Sequence, residues 1–173
     1  MAGLLDGVKV LDLTRVLAGP YCGMMLADMG AEVTKIELPG RGDDSRRNFP
    51  IVNGESAYFM NLNRNKRGMT LNLKSEKGKE IFRELVKQSD IVLENYRPGV
   101  MEKLGLGYED LKKINPAIIY GAVSGFGHYG PYSKRAGYDI IGQAMSGLMS
   151  TTGWPDTPPT RTGTAISDVM GGI

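Results

Sequence analysis

The sequence predicts an α/β protein: a doubly wound, mostly parallel, Rossmann-like sheet with helices on both faces. Three observations predict it. Short runs rich in β-branched residues alternate with helix-like segments along most of the chain, the order of consecutive βαβ units. The first 37 residues fit one such unit, whose two strands must run parallel and be joined by a right-handed crossover. At 173 residues, with 41% apolar and 23% charged, the chain can build one packed core, which excludes disorder, collagen and coiled coil.

Val8–Leu13 reads as the first strand, and Ala18-Gly19-Pro20 then leads into a helix over Tyr21–Met29 that Gly30 ends. Val33–Glu37 is the second strand. Residues 38–66 are too polar and too rich in turn residues for a buried element and read mostly as loop. Met69–Leu73 resumes order as the third strand, and Ser75 can cap a helix with Ile81, Phe82, Leu85 and Val86 on one face. A strand over Asp90–Glu94 follows, then a helix beginning near Pro98 and a second over Tyr108–Ile114. Ala117–Val123 reads as the clearest buried strand. Tyr138–Met149 reads as a helix whose small residues, Gly142, Ala144, Ser146 and Gly147, suit close backbone approach. Thr151–Thr164 is a Pro/Gly/Thr-rich loop, and residues 165–173 start a new element and stop within it. The chain is therefore expected to be the N-terminal portion, residues 1–173, of a larger domain.

Apolar residues never run uninterrupted for the 18 or so positions of a membrane span, and MAGLLDGVKV lacks a basic head before an apolar stretch. A soluble, cytoplasmic protein without membrane partners is expected. One cysteine, Cys22, cannot form an internal disulfide, and one histidine, His128, cannot build a His-rich metal site. No metal is expected. The net charge of +2 is uneven: residues 41–87 hold 11 Lys/Arg against 6 Asp/Glu, which suggests an anionic ligand. Arg64-Asn65-Lys66-Arg67, with Arg41, Arg46 and Arg47 upstream, could clamp its phosphates. Nucleic acid is not expected, because no recognised module is present and no aromatic run interleaves with the cations.

Glu37 closes the second strand where dinucleotide-binding folds place a ribose-binding acid. The turn that should bind the pyrophosphate contradicts that reading, since Thr14–Pro20 has one glycine instead of G-x-G-x-x-G. Cys22 reads as core packing and His128, in a Gly-rich turn, as a surface residue. Asp168 stands at a loop-to-helix junction, where a carboxylate is either a helix N-cap or a reactive group; spacing alone favours the cap.

Gly7–Thr14, Leu17–Pro20, Leu26–Glu37, Asn65–Arg67, Glu94–Gly99, Gly105–Tyr108, Ser124–Gly127 and Gly137–Asp139 are ordered blocks that span essentially the whole chain. Together they resemble the family III CoA transferases, the group that contains the formyl-CoA and carnitine CoA transferases. Family members are about twice this length or more and form interlocked homodimers, so the resemblance implies an N-terminal part of such a dimer. It also implies a reaction that moves CoA from an acyl-CoA donor to a small carboxylic acid acceptor. CoA is then a substrate, and no permanently bound cofactor is expected.

By that resemblance Asp168, in Gly163–Asp168, matches the catalytic aspartate, the covalent nucleophile. CoA contacts map onto Leu17 and Ala18, onto Leu71, Asn72 and Lys74, onto Asn95, Tyr96 and Arg97, and onto Lys103. Formyl-CoA transferases carry glutamine where this chain has Leu17 and arginine where it has Leu38, so the resemblance does not extend to formyl or oxalyl specificity. The related α-methylacyl-CoA racemases need an acid/base pair and carry histidine where this chain has Tyr138, a poor base at neutral pH. Transferase is expected over racemase, with an inert CoA-binding fragment as the third possibility.

Overall fold

The first strand, β1 (Lys9–Asp12), lies at the centre of the sheet, and helix α1 (Ala18–Asp28) returns the chain to β2 (Glu32–Glu37) beside it. The structure, a computed structural model, describes residues 3–173. Val10 faces Val33 and Leu11 faces Thr34 in the parallel ladder, as the βαβ reading requires. Residues 44–47 form a 3₁₀ turn, β3 (Ile51–Val52) and β4 (Glu55–Ser56) form a small hairpin, and α2 (Ala57–Leu62) precedes β5 (Arg67–Thr70). Then come α3 (Glu76–Val86), β6 (Ile91–Glu94), α4 (Val100–Lys103), α5 (Tyr108–Ile114) and β7 (Ile119–Ala122). The chain closes with α6 (Asp139–Met145), a 3₁₀ turn over 148–151, and α7 (Ile166–Gly172).

The five main strands are all parallel, in the order β5-β2-β1-β6-β7. The chain builds outward from β1 on one side and then crosses to the other, so its winding direction reverses between β1 and β6. In open parallel sheets a crevice opens at the carboxyl ends of the strands at such a reversal. Alternate residues of the central strands point to opposite faces. Leu11 and Val92 join Phe82, Val86, Met101 and Leu111 under α3, α4 and α5, whereas Val10, Val33 and Leu93 pack with Ala27 of α1. Both faces are therefore covered, which is the doubly wound arrangement. Cys22 packs at the margin of the α1 layer, where burial, with the Asp12 charge beside it, pushes its thiol up.

Several expectations need correction. Ala117–Val123 is not the most buried strand: β7 is the sheet edge, its two end residues are exposed and its two middle ones half-buried, and Ile119 is 62% exposed. A continuous apolar run looks alike whether a strand has one neighbour or two, so sequence could not separate edge from centre. Segment 38–66 contains a 3₁₀ turn, a hairpin and α2, short pieces held by tertiary contacts, not by periodicity. The third strand pairs over Arg67–Thr70, earlier than Met69–Leu73, because its ladder is set by β2; Leu71 and Leu73 lie beyond it in the core. Helix α1 starts at Ala18, three residues early, since Pro20 fits the first turn, where its missing N–H is not needed. Helix α4 starts at Val100, after a left-handed Gly99, and α6 stops at Met145. Among the described residues no helix is long and apolar enough to cross a membrane.

Candidate active site

The turn after β1 is shaped by side chains from two other segments. Asn95, directly after β6, accepts from the Arg15 N–H (2.8 Å) and donates to the Arg15 carbonyl (2.7 Å), so one amide side chain pins the backbone across the switch point. The next residue, Val16, has φ +70°, a left-handed conformation costly for a β-branched residue. Its N–H donates to Asp43 Oδ1 (3.2 Å), a carboxylate that also caps the 44–47 turn through Ser45. The strain is thus held by contacts from β6 and from segment 38–66 together.

Buried ion pairs fix that segment to the sheet. Lys66 Nζ lies 2.8 Å from Asp12 and also donates to the Pro20 carbonyl and Asn63; both charged side chains are essentially inaccessible. Lys35 pairs with Asp43 at 2.9 Å and donates to the Thr14 carbonyl. Arg46 grips both oxygens of Glu37 at 2.7 Å. Burial works to raise the Glu37 carboxyl, but Arg46 and the Asp43 N–H hold it below the usual range. Glu37 is thus engaged by Arg46. The expected phosphate clamp needs correction as well: Lys66 and Arg46 pair with Asp12 and Glu37, Arg64 with Asp28, and Arg41 with Asp44. Four of the basic residues thus answer acids of β1, β2, α1 and the 44–47 turn, while Arg67 lies exposed 3.9 Å from Glu32 and Arg47 is exposed.

Helix α7 brings Asp168 to the same place. Gly172 allows α7 to meet α1, since a Cβ there would sit 2.4 Å from the Ala18 carbonyl oxygen, and Gly142 allows it to meet α6. Asp168 is not the N-cap, contrary to the spacing argument; it lies within the first turn of α7, whose cap position is Ala165. The helix start is capped from another element: Asp139 Oδ1 accepts from the N–H of Ser167 (2.8 Å) and of Asp168 (3.4 Å). Buried Gln143 in turn donates to Asp139 Oδ2 (2.6 Å) and accepts from Thr162, tying the Thr-rich loop to α6. Among the described residues, none makes a hydrogen bond or ion pair with the Asp168 carboxylate. Half-burial raises its pKa, and the Asp139 charge raises it further.

These parts enclose a cavity of about 910 Å³ at the carboxyl ends of β1, β6 and β7, open to solvent. Leu17, Ala18, Asn95 and Asp168 line it together, with Arg15, Tyr138 and Asp139. The other candidates lie outside the lining, after β5 (Leu71, Asn72, Lys74), after β6 (Tyr96, Arg97) and at the end of α4 (Lys103). Leu71 is buried in the core, Asn72 and Lys74 are exposed, Tyr96 packs against the core, and Arg97 and Lys103 are exposed. Asp139 and Gln143 were missed as site-builders. A Gly-Tyr-Asp block was visible, but its capping role depends on a contact 28 residues along the chain. His128 is not simply a surface residue: its Nε2 is buried 3.7 Å from buried Glu94 Oε1.

A family model described as CoA-transferase family III matches residues 5–173. The chain belongs to CoA-transferase family III. Similar proteins in this family include an acetyl-CoA:oxalate CoA-transferase of Acetobacter aceti, 52% identical over 99% of this chain and 44% of that protein. A Homo sapiens succinyl-CoA:glutarate CoA-transferase is 50% identical over 98% of this chain and 39% of its own length. Among solved structures, a CAIB/BAIF family protein from Brucella suis superposes with a TM-score of 0.92 at 47% identity, covering 98% of this chain and 46% of that one. The family III chain described here thus spans about two fifths of the length of the curated relatives it matches.

Proposed function

We propose that the protein moves CoA from an acyl-CoA donor to a carboxylic acid, with Asp168 as covalent nucleophile. The observation that carries this reading is a half-buried carboxylate, without a partner among the described residues, on the first turn of α7, lining a cavity of about 910 Å³ at the sheet's switch point. The CoA-transferase names of its relatives support the reaction class.

An Asp168 oxygen attacks the thioester carbonyl; the C–S bond breaks and CoA leaves as thiolate, giving an aspartyl mixed anhydride. The thiolate attacks the aspartyl carbonyl, expelling the donor acid and forming an aspartyl-CoA thioester. The acceptor carboxylate then attacks that carbonyl, releasing thiolate again, and the thiolate takes the acceptor's acyl group and frees Asp168. Each step exchanges one activated acyl group for another, so the protein mainly positions the partners and excludes water from the anhydride. Leu17 and Ala18 form the wall nearest the start of α1. CoA contacts at Leu71, Asn72, Lys74, Asn95, Tyr96, Arg97 and Lys103 belong to the same proposal, as do a partner subunit and a cytoplasmic location.

The single histidine faces Glu94 and does not line the cavity, and Tyr138 stands where a racemase would need a histidine base, which favours transfer. The test is peptide mass spectrometry on the full-length protein incubated with acetyl-CoA or succinyl-CoA and hydroxylamine. A hydroxamate at Asp168, lost together with transfer in Asp168→Ala, is expected. An unmodified Asp168 with α-proton exchange in a 2-methylacyl-CoA would overturn the assignment.

A further inference from the structure

Arg15 is the one cation among the described residues lining the cavity, whose wall also carries three carboxylates, Asp44, Asp139 and Asp168. Resting on the transferase reading above, we propose that Arg15 selects the acid, anchoring the second carboxylate of a dicarboxylic substrate while the first reacts.

An acid acceptor is an anion that must approach an aspartyl centre beside a further carboxylate, Asp139, so an opposite charge is needed to hold it there. Guanidinium suits that task, because its planar fork matches a carboxylate in two parallel hydrogen bonds. Arg15 is also presented from a fixed point. Asn95 clamps both its N–H and its carbonyl, so the backbone beneath the side chain cannot drift. Its guanidinium rests on the Asp44 carboxylate at the cavity wall, and both side chains remain partly open to solvent, 36% and 41% exposed. Such a pair is weak and exchangeable. Arg41 also holds Asp44, at 2.9 Å, so Asp44 keeps a partner when a substrate carboxylate takes its place on Arg15. The resting pair is thus an internal stand-in for the bound acid.

Cations other than Arg15 are left for the phosphates of CoA: Lys74, Arg97 and Lys103 lie outside the cavity lining, and none of them forms an ion pair with a described residue. A monocarboxylic acceptor of equal length brings its single carboxylate to the reacting centre and leaves Arg15 on Asp44.

The test compares glutarate with pentanoate as acceptors, acetyl-CoA as donor, in full-length wild type, Arg15→Leu, Arg15→Lys and Asp44→Asn. The glutarate-to-pentanoate ratio of kcat/KM is expected to fall about ten-fold or more in Arg15→Leu, through the KM for glutarate. Partial restoration in Arg15→Lys and a lower glutarate KM in Asp44→Asn, where the competing charge is gone, are expected too. A ratio unchanged in Arg15→Leu, a loss shared equally by both acids, or a loss confined to the KM for acetyl-CoA would overturn the assignment. No transfer to either acid by the wild-type protein would overturn the transferase reading itself.

Discussion

Asp168 is placed where its charge is costly. Burial raises its carboxyl and the Asp139 charge raises it further, so the folded chain binds that proton more tightly than the unfolded chain does. The stability this group contributes is complete below the ordinary aspartate range and is lost as pH rises through the raised value. Asp168→Asn is therefore expected to raise the melting temperature at pH 7, with the gain shrinking toward acid pH. Thermal unfolding measured across pH checks it, and equal melting temperatures at pH 7 would show that the carboxylate is not strained. A nucleophile kept half-dry and next to a like charge has this stability cost built in.

Helix α3 shows how an element's ends are set by single atoms. Ser75 Oγ accepts from the Gly78 N–H at 3.1 Å, satisfying one of the donors a helix start leaves open. Ser75→Ala should cost about 1 kcal/mol, read from urea unfolding midpoints. Gly78 sits buried in the same turn, whereas a helical glycine with open space beside it usually gains from replacement by alanine. Here a Cβ would stand 2.0 Å from the Asn72 carbonyl oxygen, a backbone atom that cannot swing aside. Gly78→Ala should therefore destabilise, and a stabilised variant would mean that the Asn72 turn yields easily. The same logic governs α7, where Gly142 and Gly172 are the contacts that let Asp168 reach the cavity wall.

At the scale of the molecule, segment 38–66 is attached to the sheet by ion pairs, Lys35–Asp43, Arg46–Glu37 and Lys66–Asp12. Lys66 and Asp12 are both essentially inaccessible, whereas the Arg64–Asp28 pair is partly exposed. Removing one partner of a buried pair leaves an uncompensated charge; removing one at the surface leaves a hydrated one. Lys66→Ala should cost roughly 3–5 kcal/mol. Arg64→Ala should cost at most about 1 kcal/mol by the surface-pair rule. Denaturant titration of both variants checks the contrast, and similar losses would sink the claim that this segment is locked through Lys66.

Short apolar runs alternating with helical apolar stripes predicted the fold class, because a strand covered on both faces is apolar throughout, a helix only at every third or fourth residue, and each pattern is local. Ser75, a capping residue three positions before a glycine, was legible for the same reason. Ordered motif blocks pointed to Asp168, Leu17, Ala18 and Asn95, which the folded chain brings to one cavity. What the tertiary structure alone decided was partnership over long sequence distance. Sequence could not tell that β7 has one neighbour and not two, nor that Lys66 answers Asp12 across 54 residues. Nor could it tell that Asp139, 28 residues from Ser167, caps the helix that carries Asp168. A charged residue reads the same whether it faces water, a ligand or a buried counter-charge, and only folding specifies which.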